Sequence, residues 1–154
     1  MTGHQSPCKT LDYPLAGSLG YTPDFWKQLL ENHAFTAATA QHLAEKFGTL
    51  SRSVLELAGA DASLLQPIFK GGAPIRAEVV YAVRAEMAQT IEDVLCRRTG
   101  VQFHSWREAE RAAPVVAQII GRELDWSEAQ TRDAVENYVA SINRLLRSAG
   151  IEHR

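Results

Sequence analysis

Cysteine is scarce: only Cys8 and Cys96 occur in 154 residues, far apart and not as a C-x-x-C pair. Two thiols cannot form a disulfide framework, so the chain reads as a reduced cytoplasmic protein with Cys96 as a small helix-core residue. No window approaches the roughly 18 continuous apolar residues of a transmembrane helix. The start, MTGHQSPCKTLDYP, is polar and lacks the apolar stretch of a signal peptide. The five histidines, His4, His33, His42, His104 and His153, include no i, i+4 pair. There is no H-E-x-x-H and no Cys/His cluster, so no zinc site is supported. The serine-hydrolase elbow, the P-loop and the G-x-G-x-x-G dinucleotide turn are also missing. With a net charge of -2, the chain has no broad pull toward nucleic acid, although local basic patches stay open. No segment alternates like a strand.

What is present is one domain's length of chain, 45% apolar and 22% charged, able to bury a core. Residues 1–20 read as a tail or linker, 21–150 as a helical domain and 151–154 as a tail. The expected fold is all-α, a compact orthogonal or irregular bundle of five to seven helices. Thr22-Pro23 should start a helix carrying Phe25, Trp26, Leu29 and Leu30 on one stripe. Thr36 should cap AATAQHLAEKFG, with Gly48 ending it. Ser51 should open RSVLELAG, and Asp61 should cap a turn, ASLLQ. KGGAP at 70–74 is a loop. Its Gly71-Gly72 pair beside Arg76 could form an anion-binding nest, though a tight turn into a helix is the commoner arrangement.

The longest helical region is expected from Ile75 to Arg98. Thr90 and Asp93 resemble a capping box, with Asp in place of the usual Glu or Gln, which predicts a break or kink at Thr90 and two helices end to end. Thr99-Gly100 should end the second. Ser105 should cap a helix from Trp106 to about Leu124, kinked or split at Pro114. Ser127 should cap the last helix, with Gly150 after it.

The stretch EVVYAVRAEMAQTIEDVLCRRTG, 78–100, is unusual because it places many charges in an apolar helical frame. Glu78, Ala82 and Glu86 share one face, and Asp93 and Arg97 make an i, i+4 pair. A solvated face with ordinary ion pairs explains these spacings. A polar interface through Tyr81, Arg84 and Ala88 explains them equally well. Residues 39–59 resemble a helix-turn-helix DNA reader, the alternative binding-module reading. Its turn is one residue too long, however, and its second helix offers Arg52 beside Glu56, few groups for bases or phosphates.

From Glu78 to Thr99 the sequence closely resembles a characteristic run in the C-terminal domain of the FAD-dependent glycerol-3-phosphate dehydrogenases and oxidases. The matching elements are Glu78, Tyr81 to Arg84, Glu86 to Ala88, Thr90, Asp93 to Leu95 and Arg97 to Thr99. TLDYPLAG at 10–17 is similar to the family's linker, with Ala16 where proline is usual. LAEKFGT at 43–49 and ELDWS at 123–127 also match in order. One departure is Gly100, where the family usually has a basic residue.

The resemblance implies a helical accessory domain of an enzyme that oxidises sn-glycerol 3-phosphate to dihydroxyacetone phosphate and passes electrons to quinone or oxygen. FAD would belong to the whole enzyme, with no cofactor, metal or catalytic residue in this chain. The implied partner is the N-terminal flavin domain, with homo-oligomer contacts and a peripheral place at the inner face of the cell membrane through the whole enzyme. Nucleic acid is not an expected partner. Glu78, Tyr81, Arg84, Glu86, Thr90, Asp93, Arg97 and Arg98 become candidate ion-pair and interdomain residues. A self-sufficient small enzyme is a third reading, which a flavin absorbance spectrum would discriminate.

Overall fold

The computed structural model describes residues 10, 12–59 and 61–151. Among them are seven α-helices and no strand: α1 (Phe25–Asn32), α2 (Ala37–Phe47), α3 (Ser51–Glu56), α4 (Arg76–Glu86), α5 (Val101–His104), α6 (Trp106–Glu123) and α7 (Glu128–Ser148). Two 3₁₀ turns, Gly48–Leu50 and Ala62–Leu65, and a π-helical segment, Asp93–Arg98, complete the helical set. The expected all-α class is what is found. Cys8, His4 and His153 lie outside the described residues. The chain forms two compact units, Met1–Arg52 and Ser53–Arg154, with the division inside α3.

In the first unit α1 packs on α2 through buried Phe25, Leu29, Ala40, Leu43 and Ala44. The hydroxyl of Thr36 accepts from Thr39 N at 3.2 Å and starts α2. At its far end Gly48 takes φ 56 and ψ -135, a conformation that glycine adopts without a Cβ penalty. This glycine also lies directly against the backbone of Gly17. Thr49 then fastens the incoming segment, its N–H donating to Gly17 O at 2.9 Å and its hydroxyl reaching Gly17 O and Leu19 O, both at 3.2 Å. The first helix begins at Phe25 rather than at Thr22-Pro23. Thr22 instead accepts from Phe25 N at 2.9 Å, closing a turn before the helix.

The second unit is organised around α6. Ala109, Ala112, Ala113, Val116, Ala117 and Ile120 are buried along it, and the four alanines admit close neighbours. α4, α5, α7 and the π-helical segment all pack on this helix. Pro114 lies inside α6, and the split, one of the two outcomes expected of it, does not occur. It sits on the exposed face, where water can bond a carbonyl that a proline leaves without its N–H. Asp61 and Ser127 cap as their positions predict, and Ser127 forms a reciprocal box with Gln130.

The stretch from Ile75 to Arg98 is not the longest helix; α7 is. It breaks at Met87, earlier than Thr90, with Met87 left-handed at φ 57. The physical reason is the capping box itself. Thr90 can act as an N-cap only from outside a helix, so Met87 to Gln89 must serve as connector. Cys96 is half-buried rather than a core residue, because the wide π turn directs Val94 and Leu95 inward instead.

Candidate functional site

The charges of residues 78–98 gather around the elbow between α4 and the π-helical segment. Each is accounted for by a helix end or a neighbouring carboxylate. Glu78 is the most buried, 1% exposed. Its Oε1 accepts from Ile75 N at 2.9 Å and so satisfies an N–H that the first turn of α4 would otherwise leave open. Glu78 therefore caps its own helix instead of facing outward. Tyr81 is half-buried on the same helix.

Arg84 occupies the last turn of α4 and points to α6. Its Nε and Nη2 donate to the two carboxylate oxygens of Glu123 at 2.6 and 2.9 Å, a bidentate fork. Arg84 is 58% exposed and Glu123 17%, so water screens the pair from one side. A double-mutant cycle of Arg84→Ala and Glu123→Ala should give a coupling of up to about 1 kcal/mol by urea denaturation. A coupling indistinguishable from zero would remove this pair from the forces joining α4 to α6.

Arg98 works across the break. Its Nη2 donates to the Glu86 carbonyl at 2.6 Å, and its Nε lies 3.2 Å from the Glu86 carboxylate. Glu86 is the final residue of α4, so its carbonyl is one of those that a helix C-terminus leaves unpaired, and a cation is favoured there. Met87 N and Ala88 N both turn back to Ala82 O, finishing the same end.

Beyond the elbow Thr90 and Asp93 cap reciprocally. Asp93 Oδ2 accepts from Gln89 N at 3.1 Å and Thr90 N at 3.0 Å, while Thr90 Oγ1 accepts from Asp93 N at 3.0 Å. Arg97 donates to Asp93 at 2.9 Å and to Glu92 at 2.8 Å, four and five residues back. A π turn brings positions i-4 and i-5 to the same side, which is why one guanidinium reaches both carboxylates.

Burial pushes the Asp93 carboxyl up. The bonds from Gln89 and Thr90 and the charge of Arg97 more than offset it, and the group is held below the usual carboxylate range. The folded pKa is depressed, so the stabilisation is present above the unfolded value of about 3.9 and lost as pH falls through the folded value. Asp93→Asn should therefore narrow the stability difference between pH 6 and pH 3, measured by thermal unfolding. An unchanged difference would show that Asp93 does not carry this acid sensitivity.

All three arginines of the stretch thus find carboxylates within the chain. Spacing along the sequence shows the Asp93–Arg97 pair. It does not show Glu123 as the partner of Arg84, because the two are 39 residues apart and only the packing of α4 on α6 joins them. In the helix-turn-helix candidate, α3 spans six residues, and Arg52 is turned over the Phe25 ring at 5.4 Å. No group of three or more His, Cys, Asp and Glu that could hold a metal occurs among the described residues, and no helix among them is long and apolar enough to cross a membrane.

The family described as the C-terminal domain of alpha-glycerophosphate oxidase matches residues 8–131. The chain is 32% identical over 134 residues to a mitochondrial glycerol-3-phosphate dehydrogenase of Mesocricetus auratus, covering 84% of this chain and 18% of that protein. It is 32% identical over 130 residues to a probable mitochondrial glycerol-3-phosphate dehydrogenase of Dictyostelium discoideum, covering 84% and 20%. Against glycerol-3-phosphate dehydrogenase 2 of Mycobacterium tuberculosis it is 33% identical over 102 residues, covering 66% and 17%. The matched region is thus about a fifth of the length of these relatives. No solved structure matches the chain.

Proposed function

The chain belongs to the family of the C-terminal domain of alpha-glycerophosphate oxidase, and from that premise we infer that it is the helical accessory domain of a glycerol-3-phosphate dehydrogenase. In this reading the whole enzyme carries FAD in a preceding domain and oxidises sn-glycerol 3-phosphate to dihydroxyacetone phosphate. Electrons leave the flavin for quinone or oxygen, at the inner face of the cell membrane. This chain packs on the flavin domain, contributes no reacting group and binds no FAD.

The observation that carries the reading is the family match, which runs through both compact units. The ion pairs of the elbow support a structural role. A guanidinium already held by a carboxylate is a poor candidate for gripping substrate, and Arg84, Arg97 and Arg98 are all so held. Their proposed contribution to interdomain contact is indirect: they keep the surface of α4 and the elbow in one geometry.

The test is glycerol 3-phosphate oxidation by the flavin domain, followed by dye reduction with and without the 154-residue chain. Saturable association and slower thermal loss of activity would support the accessory role. No association with both partners at micromolar concentration, together with an unchanged rate of activity loss, would reject it. Flavin absorbance in the purified chain would reject the non-catalytic part independently.

A further inference from the structure

A second cluster of charge lies away from the elbow, in a cavity of about 790 Å³ between the 67–75 loop and α6. The loop is closed on itself. Pro67 and Ile75 form an isolated antiparallel bridge, with Ile68 N donating to Pro74 O at 3.0 Å and Arg76 N to Gln66 O at 2.9 Å. Gly71 turns it at φ 80, and a Cβ on Gly72 would come within 2.6 Å of the Phe69 ring. The shape is therefore set by backbone pairing and by glycine, before anything binds. α6 supplies Glu108, Arg111 and Val115, spaced along one helical face.

Lys70, Arg76 and Arg111 line this cavity, with Ile68 and Phe69 as apolar wall. One carboxylate lines it too, Glu108, and its Oε1 accepts from Arg111 at 2.7 Å. Lys70 makes no ion pair among the described residues. Arg76 Nε is buried and has no hydrogen-bond partner among them. Asp61 feels the charges of Arg122 and Arg76 from outside the cavity, since it is not among the lining residues. The first turn of α4 adds little, since Ile75 N is taken by Glu78 and Arg76 N by Gln66. A buried guanidinium N–H without an acceptor is costly, and three like charges lining one cavity with a single carboxylate repel.

We propose that this cavity binds a small phosphomonoester. Among the lining side chains two positive charges stand in excess, which matches a dianion. Phosphate oxygens offer acceptors both to a guanidinium and to a lysine ammonium. The apolar wall accommodates a short carbon body beside the phosphate. The assignment is independent of the accessory-domain reading, because it concerns residues of this chain alone and is read out without any flavin domain.

The experiment is a titration of the 154-residue chain with phenyl phosphate, inorganic phosphate and sulfate at constant ionic strength, followed by ¹H–¹⁵N NMR. Phenyl phosphate is expected to give saturable shifts confined to residues 66–76 and 108–115, and to bind several-fold more tightly than inorganic phosphate. Lys70→Ala, an exposed position, should weaken it at least about fivefold with the rest of the spectrum unchanged, and Arg76→Gln should do the same. Equal affinity for phenyl phosphate, inorganic phosphate and sulfate would overturn the assignment of an organic phosphate. Shifts that do not saturate, that spread over the whole surface or that persist in both variants would overturn the site.

Discussion

Replacing Glu78 by alanine should lower the stability of the chain by about 3 kcal/mol, read from urea unfolding. Two losses combine. The side chain is almost fully enclosed, so its removal leaves a void under α4, which α6 and the Ala62–Leu65 turn also contact. The Ile75 N–H then loses its acceptor at the start of the helix. Glu78→Gln keeps a carbonyl oxygen of nearly the same reach and should cost less than half as much. If Glu78→Ala and Glu78→Gln were equally destabilised, charge rather than capping and packing would be the source. If neither moved the midpoint, the capping account would be wrong.

The second large effect is expected at Gly48. Alanine there must adopt φ 56 and ψ -135, and its Cβ would meet the Gly17 carbonyl oxygen within van der Waals contact. Strain of that kind costs about 1–3 kcal/mol before the collision is counted. The collision can be relieved only by lifting the Gly17 segment away, which gives up both bonds from Thr49 to Gly17 O. The expected result is a loss of about 2 kcal/mol or more, with much faster amide exchange at Thr49. Gly17→Ala, at φ 82, attacks the same contact from the other side. The double variant should therefore be less destabilised than the two single losses combined, since the contact can be lost only once. Strict additivity would show that the two glycines do not share it.

Much of the fold is legible in the sequence because its helices announce their own ends. Thr36, Asp61, Ser105 and Ser127 each cap where a short polar side chain precedes an apolar period. The Thr90–Asp93 box is equally local and equally readable. What misleads is the absence of a breaker at Met87. Neither glycine nor proline marks that left-handed position, and the break is imposed from three residues downstream by the cap that needs it. Pro114 misleads in the opposite sense, since a proline on the solvent face removes a bond that water can replace. The elbow's ion pairs divide in the same way. Asp93 and Arg97 are neighbours along one turn, whereas Arg84–Glu123 and Arg98–Glu86 exist only because separate helical segments are folded together. The cationic cavity was visible only as Gly71, Gly72 and Arg76, because Arg111 joins it from another helix.

The π-helical segment Asp93–Arg98 closes its hydrogen bonds one residue further back than an α-helix would, and the Thr99 N–H accordingly bonds back five residues to Val94 O at 2.8 Å. That surplus is length the chain could surrender. Deleting a single residue here would tighten the turn while preserving its direction, whereas a deletion inside α6 would rotate every following side chain off the core. The same shortening would leave Arg97 able to grip only one of Glu92 and Asp93. The segment is therefore the natural place for this domain to tolerate a change in length, in exchange for one of the two carboxylates that Arg97 now holds.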